Sequence, residues 1–524
     1  MDTKLVSDLL RPEAYPAPRP RAVTLRTTHI SWVFLTEDAV YKVKRPVSLG
    51  FLDFSTPAAR AHFCREEVRL NAALAPGVYL GVVPVWQGET GFHFEPGVAI
   101  VDHAVKMRRL PDDRSAAALL AAGQLTPEML SSLAQRLADF YAAAPALANP
   151  AYVEVMTRNL DETLDELAAF ADDPLDRMRL GAVSAAQRRD LARLQERLAQ
   201  RAAGGKFREG HGDLRLEHVY FLEGEAPVVI DRLEFAERFR IGDIALDVAF
   251  LVMELEAAGA APLAEYFLYR FARATGDFET YALIDFYACY RALVRAKIAC
   301  LLAQDPGSSA ARVSAKRAEA TRLLGLAYAD ALGGPEPQAL IAIGGLVGTG
   351  KSTLAEAIAR QLGFPVISSD VARKQLAGLR PTDRGDARLY QPAQHQRTYD
   401  EIFRRADLVL AAGRSVVLDA TFRTPADRER ARTLAAAHGA RFLFVETTCA
   451  LPAVRERLRV RASAVSESDA DEAVLDQTAA SFVPPTELAP DDLLPYQSDA
   501  PGAASLEDFI AGQLLPRLVH TRPR

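Results

Sequence analysis

The chain has 524 residues, 49% of them hydrophobic and 25% charged, ordinary globular values that exclude a disordered or collagen-like polymer. At about 150 residues per domain, that length predicts two to four folded units. A formal net charge of -6 argues against a broad basic surface for nucleic acid.

The four cysteines, Cys64, Cys289, Cys300 and Cys449, include no CxxC pair. Neither a disulfide framework nor a zinc ribbon is expected, and a reducing compartment is. The opening MDTKLVSDLLRPEAYP lacks the apolar core of a signal peptide. The most apolar long segment, Leu283 to Ala303, carries Asp285, Arg291, Arg295 and Lys297, which predicts a buried amphipathic helix and not a membrane span. A soluble cytoplasmic protein without membrane contact is expected.

In chain order, residues 21 to 105 hold short β-type runs at Trp32–Leu35, Ala39–Val43, Val82–Val85 and Val98–Val101, with one helical stretch, Pro57 to Leu74. From about 115 to 330 the pattern is helical, with a polar loop at Gln304–Ala311 and a β-type island from His218 to Phe235. Gly333-Gly-Pro-Glu-Pro337 then breaks the pattern. Beyond it, strand candidates Ala339–Ile343, Val366–Ile367, Val416–Leu418 and Phe442–Val445 alternate with helical stretches at Thr353–Leu362, Tyr399–Ala412, Pro425–Ala437 and Pro452–Ala462. That alternation predicts a doubly wound parallel sheet. The expected divisions are a small lobe over 1–105, a helical lobe over 106–333, a linker at 334–338 and an α/β domain over 339–524.

The first half carries scattered acids and lysines. His211-Gly-Asp213 is followed eighteen residues after Asp213 by Asp231. Phosphoryl transfer needs one carboxylate to deprotonate the attacking hydroxyl and another to hold the metal that bridges the phosphates. Val40-Tyr-Lys42-Val-Lys44 offers a phosphate-contacting lysine, and because strand side chains alternate, Lys42 and Lys44 share a face and spacing does not choose between them. Glu66 and Glu67 on the following helix are both candidates to pair with it.

The second half carries a contiguous motif. Gly345-Leu-Val-Gly348-Thr349-Gly350-Lys351-Ser352 fits G-x-x-x-x-G-K-[ST] between a predicted strand and helix. Backbone N–H groups of Gly345, Gly348, Thr349, Gly350 and Thr353 would surround phosphate oxygens, Lys351 would reach the β- and γ-phosphates, and Ser352 would hold Mg²⁺. Asp370 and Asp419 follow predicted strands, where ligands of open α/β sheets bind. One can orient Mg²⁺ and the other accept a hydroxyl proton. On the basic helix 451–461, Arg457 and Arg461 share one face while Arg455 and Arg459 share one nearly opposite.

These motifs resemble known families. Gly345–Thr353, Ser368-Ser-Asp370-Val-Ala-Arg373-Lys374, Asp419-Ala-Thr-Phe422 and Arg457-x-x-x-Arg461 are similar to P-loop kinases of the gluconate-kinase, polynucleotide-kinase and zeta-toxin-like group, over about 338–490. That resemblance implies Asp370 as the substrate-activating base and Arg457 and Arg461 as lid arginines. The first half resembles aminoglycoside-phosphotransferase-like kinases. Thr28-His29-Ile-Ser31-Trp32, Tyr41-Lys42-Val-Lys44-Arg45-Pro46, Gly50-Phe-Leu-Asp53-Phe54 and Glu67-Val-Arg-Leu-Asn71 resemble bacterial two-domain proteins that join such a half to a P-loop kinase. It implies Lys42 as the phosphate lysine, Glu67 as its partner, Asp213 as base and Asp231 as metal ligand.

The expected fold is thus α/β and α+β multidomain: a bilobal protein-kinase-like half followed by a P-loop doubly wound half. One departure stands out, since the family's HGDxxxxN places a metal-binding Asn where this chain has His218. Imidazole suits Mg²⁺ less than a hard oxygen and suits Mn²⁺ better. The glycine-rich loop of the family is also absent, with Thr27–Ser31 in its place, and Arg215 and Glu217 stand inside the catalytic loop. The leading expectation is an ATP- and Mg²⁺-dependent phosphotransferase with two kinase-like units acting on a small hydroxylated molecule, with Mn²⁺ as an option for the first half. The alternatives are a C-terminal kinase governed by an N-terminal pseudokinase or substrate-binding module, and an RNA-end kinase.

Overall fold

Alternating apolar residues over 24–44 and 79–108 build an antiparallel sheet in the order Thr24–Thr27, Ser31–Leu35, Ala39–Lys44, Ala99–Arg108, Tyr79–Gln87, Phe92–His93. The computed structural model describes residues 2–519 except 50–51, 90, 150, 172–173, 305–308, 333–336, 386–388, 390, 463–466 and 500–504. Gly50 and Phe51 of the Gly50–Phe54 motif, most of the linker at 334–338 and the centre of the 304–311 loop therefore lie outside the described residues.

Helix Pro57–Asn71 packs against this sheet. Thr56 caps it by accepting from Ala59 N, and Pro57 takes the first turn, where no intrahelical N–H is missed. Its Arg60 is buried on Asp102, 2.9 Å away, and its Glu67 is fully buried. A helical region follows, including Tyr152–Ala168, Pro174–Ala203, Ile244–Ala257, Ile284–Ala303 and Ala310–Leu332. The charged apolar segment is one of these helices, as its pattern predicts. No helix among the described residues is long and apolar enough to cross a membrane.

The chain divides into two compact units: Met1–Ala258 with Phe286–Leu332, and Gly259–Asp285 with Gly333–Arg524. The expected helical lobe over 106–333 is corrected here, because 259–285 belongs with the P-loop half. The reason is side-chain pairing. Helix Ala261–Thr275 sets Tyr266 Oη 2.8 Å and Arg270 Nη1 3.0 Å from Glu356 of the P-loop helix, and Arg414 binds both Glu265 and Asp285 at 2.7 Å. Helical periodicity announces a buried face but not the element that buries it.

The second unit holds five parallel strands in the order Val366–Ser368, Val416–Asp419, Ala339–Gly344, Arg441–Thr448, Leu493–Gln497. Every residue of the central strand Ala339–Gly344 is buried. The order reverses around that strand, so the crevice at its carboxyl end is where a ligand fits.

Candidate functional sites

In the first unit, the strand Ala39–Lys44 presents Lys42 and Lys44 to the same face, and Glu67 receives both. Its Oε1 lies 2.9 Å from Lys42 Nζ and its Oε2 2.8 Å from Lys44 Nζ. The two lysines then diverge. Lys44 is fully buried and bonds Glu234, while Lys42 reaches the cavity and pairs with Asp231. Glu66 instead pairs with Arg69 on the surface, 2.7 Å away. The geometry thus separates the alternatives that spacing left open, bringing Lys42, Glu67 and Asp231 together.

Asp231 sits at φ 65°, a left-handed conformation that costs a non-glycine residue energy, and its N–H donates to Tyr79 Oη at 2.9 Å. Burial alone would raise its carboxyl, yet Lys42 and His218 hold it well below the ordinary carboxylate range. Asp213 is likewise held low against burial, by His218 and Arg215. His218 stands between the two acids. Its Nδ1 lies 2.9 Å from the Asp213 carbonyl oxygen, which marks Nδ1 as the donor, and its Nε2 lies 3.6 Å from both Asp231 Oδ2 and Glu217 Oε1. Arg215 is turned away, donating to Glu254 at 2.9 Å as well as bonding Glu217.

Asp247 and Arg232 hold the loop, and sequence reasoning assigned neither. The Asp247 carboxylate accepts from the backbone N–H of His211 and of Gly212 and from Tyr141 Oη. Arg232 donates to the carbonyls of Gly210, Leu70 and Glu209. His211 is fully buried, its Nε2 2.9 Å from Ile230 O and its Nδ1 accepting from Asp213 N, so the ring is neutral with the proton on Nε2. Burial pushes its imidazole down to about 4. Around these groups lies a cavity of about 800 Å³. Its strand side is apolar, with Val33, Leu35, Val40 and Met107, and His29 of the turn replacing the glycine-rich loop also lines it.

In the second unit, Gly345, Gly348 and Gly350 take φ of 134°, 80° and 97°. A Cβ on Gly345 would stand 2.3 Å from Thr447 O, so that position admits glycine alone. Thr349 uses its hydroxyl to brace the loop, bonding Leu346 O at 2.8 Å and Thr447 Oγ1 at 2.7 Å. Lys351 Nζ donates to Leu346 O at 2.7 Å. Ser352 Oγ donates to Asp419 Oδ2 at 2.7 Å, which joins the two expected metal-holding groups. Thr353 follows on the first turn with an exposed side chain.

Burial pushes the Lys351 ammonium down, against the pull of Asp419 and Asp370, and pushes the Asp419 carboxyl up. Asp370 is held below the ordinary range despite burial, because Arg373 bonds it at 2.5 Å. The arginines of helix Leu451–Ala462 separate as their spacing predicts. Arg455 and Arg459 bind Glu472, whereas Arg457 turns to the P-loop, 3.3 Å from Gly348 O and 2.8 Å from Ser498 Oγ. Arg461 is near enough to Lys351 to oppose its charge. A cation that sequence reasoning missed is Arg273, from the 259–285 segment, which bonds Tyr269 Oη and Glu467 and acts on Asp419.

The sequence motifs lead one to expect a divalent cation beside each phosphate position. Asp231 in one unit and Ser352 with Asp419 in the other supply the hard oxygens it prefers. No group of three or more His, Cys, Asp or Glu side chains poised for a metal occurs among the described residues.

The "Uncharacterized protein Rv2004c" of Mycobacterium tuberculosis is 33% identical over 466 residues, 88% of this chain and 90% of the relative. The chain belongs to that family. A protein of Mycobacterium bovis, "Uncharacterized protein Mb2027c", matches to the same extent. Residues 340–485 match the family model described as an AAA domain, which spans the P-loop, Asp370, Asp419 and both arginines of the Arg457 face. Among solved structures, the GDP complex of aminoglycoside 2'-phosphotransferase-IIIa overlaps 63% of this chain and 99% of its own, at 15% identity and a TM-score of 0.39. The APS kinase CysC of Mycobacterium tuberculosis overlaps 36% and 100%, at 22% and 0.26. The matched residues hold the P-loop of the second unit, its Gly345–Ser352 segment following the central strand of the parallel sheet.

Proposed function

We propose that the protein carries two phosphotransfer sites, each moving the γ-phosphoryl group of ATP to a hydroxyl of a small molecule. One observation carries this reading: each unit assembles a lysine, a carboxylate suited to a metal and a second carboxylate beside them. These are Lys42, Asp231 and Asp213 in one unit, and Lys351, Asp419 and Asp370 in the other.

In each site the acceptor oxygen forms a bond to the γ-phosphorus as the bond from that phosphorus to the β,γ-bridging oxygen breaks, releasing ADP. The hydroxyl proton passes to Asp213 or Asp370. Both are held below the ordinary range, so both are ionised and ready to accept it. Lys42, fixed by Glu67, and Lys351, at the head of its helix, neutralise phosphate charge. Arg461 and Arg457 add positive charge over the P-loop. Asp231 in one unit, and Ser352 with Asp419 in the other, would hold a divalent cation, which would supply further neutralisation of phosphate charge.

His218 favours a second reading of the first unit. Its Nε2 faces Asp231 where a hard oxygen would serve Mg²⁺ better, and Lys42 bonds the same carboxylate directly. A pseudokinase that binds nucleotide and does not transfer would look the same. The deciding experiment uses the full chain with Asp213→Asn and Asp370→Asn made separately, measuring acceptor-dependent ADP release in Mg²⁺ and in Mn²⁺. Two sites predict that each variant loses a different part of the acceptor range. The Asp213-dependent part should be larger in Mn²⁺, and His218→Asn should narrow that gap. Loss of all turnover in Asp370→Asn and none in Asp213→Asn would establish the pseudokinase.

A further inference from the structure

The cavity of the first unit has two ends of different chemistry. The strand end offers Val33, Leu35, Val40 and Met107, apolar surface of the kind a nucleotide base requires. The other end is walled by helices Tyr152–Ala168, Ile284–Ala303 and Ala310–Leu332, and they bring Arg291, Arg295, Lys297, Arg312 and Lys316 to it. The carboxylates at this end are already answered. Arg295 and Lys316 share Glu319, at 3.3 and 2.6 Å, and Glu162 is held by both terminal nitrogens of Arg238 at 3.1 and 2.9 Å. Arg312 is exposed and meets no carboxylate among the described residues. Lys297 faces Glu166 at 3.6 Å and Arg291 faces Asp247 at 3.8 Å, so the positive charge in excess is that of Arg312 and of the two cations sharing Glu319, in a chain whose overall charge is -6.

A second, independent observation points to a ligand. Asn159 and Arg291 both line this end and are 6% and 4% exposed, yet Asn159 Oδ1 and Arg291 Nη2 have no hydrogen-bond partner. The carboxylate oxygen paired with Arg291 Nη2, Asp247 Oδ1, is 3.8 Å away. Buried polar atoms are almost always satisfied, and leaving a charged donor unsatisfied is costly unless a ligand completes it. One orphan accepts, which suits a hydroxyl, and the other is cationic, which suits an anion. Arg295 also acts on Asp213, which places the basic end beside the expected base.

We infer that the acceptor of the N-terminal site is a polyhydroxylated anion, a sugar phosphate or sugar acid, with one hydroxyl at Asp213 and its anionic group among Arg295, Lys316 and Arg312. This rests on the phosphotransfer reading for the reaction but not for the binding. The hydroxyl at Asp213 attacks the γ-phosphorus, its proton goes to Asp213, and ADP leaves. A cationic aminosugar meets repulsion at the same place, and a neutral sugar forgoes the charge contacts.

The test uses the full chain carrying Lys351→Ala, which silences the P-loop site. Glucose, glucosamine, gluconate and glucose 6-phosphate are titrated calorimetrically with the non-hydrolysable analogue AMP-PNP present, and each is assayed as acceptor with ATP. At least one anion should bind about tenfold or more tightly than glucose, and glucosamine more weakly than either. Gluconate against glucose 6-phosphate separates carboxylate from phosphate recognition. Arg295→Gln with Lys316→Gln should erase the advantage while leaving AMP-PNP affinity and the circular dichroism spectrum unchanged, and exposed Arg312→Gln should erase about half of it. Glucose or glucosamine binding as tightly as both anions, or an advantage that survives both sets of substitutions, overturns the inference. Asp213→Asn separates the two claims: anion binding kept and turnover lost supports both, while anion binding without any Asp213-dependent turnover keeps the anion site and removes the transfer step.

Discussion

The two sites differ in what holds the phosphate end. In the first unit charge answers charge: Lys42 lies between Glu67 and Asp231, and Lys44 between Glu67 and Glu234. In the second, the proposed phosphate position is framed by the backbone of a glycine loop, and Lys351 donates to a carbonyl of its own loop. A backbone cradle is local, so one substitution removes one contact. A cradle of buried ion pairs is shared, so one substitution strands several charges.

The largest effect expected from this contrast is on activity, in the second site. Lys351→Ala should lower P-loop turnover by about a thousandfold, since it removes the cation that follows the transferring group. Because the hydrogen bond of the ammonium goes to a loop carbonyl, the melting temperature should hardly move. A large loss of stability would show that Lys351 has the shared role reserved here for the first site.

Glu67→Ala sharpens the other side. It leaves two buried lysines short of a partner, and breaking a buried pair costs about 3–5 kcal/mol. Denaturant unfolding of the full chain should show the first unit's transition shifted while the second unit's stays in place. Glu66→Ala, which removes only an exposed pair with Arg69, should cost less than about 1 kcal/mol. Equal effects of the two substitutions would break the contrast.

The same difference governs what could be read from sequence. A phosphate loop needs glycines at fixed spacing, so Gly345–Ser352 and the strand-end Asp419 were legible, and the structure joins Ser352 to Asp419. The network of the first unit draws on residues far apart in the chain, and spacing offered Lys42 and Lys44, Glu66 and Glu67 as equals. Asp247 was invisible because it lies in the apolar helix Ile244–Ala257, and only tertiary structure brings the amides of His211 and Gly212 to it. Strand Leu493–Gln497 was missed because Pro495 reads against a strand. It pairs on one side only, at the sheet edge, where a missing N–H is tolerated.

Arg414 tests the unit boundary, which spacing also concealed. Its guanidinium is held well above its ordinary range, burial being outweighed by Asp285 and Glu265, while burial raises Glu265. Arg414→Ala should destabilise the second unit by about 2–3 kcal/mol, since it leaves Glu265 without its ion-pair partner. A fragment of 338–524 should show the same loss more severely, because it lacks the whole 259–285 segment that bonds Glu356 and Arg414. A fragment as stable as the P-loop unit of the full chain would return 259–285 to the helical lobe.

The last effect expected is a dependence on pH in the first unit that centres on His211. Buried His211 is neutral, with its two nitrogens engaged by Ile230 O and Asp213 N. Its imidazole falls from 6.5 in the unfolded chain to about 4 in the folded one. Between those values the unfolded state binds a proton that the native state refuses, so stability falls as pH falls through that window and is unaffected above it. At pH 5 the loss from this group is about 2 kcal/mol. His211→Asn keeps a donor and an acceptor but does not titrate, so its unfolding curve should lose that slope between pH 6.5 and 4. Burial also lowers the imidazole of His395 in the second unit, so that unit's transition should keep a slope of its own, which His211→Asn leaves unchanged. A slope unchanged by His211→Asn would place the acid sensitivity elsewhere and remove the claim that the catalytic loop is built around a neutral imidazole.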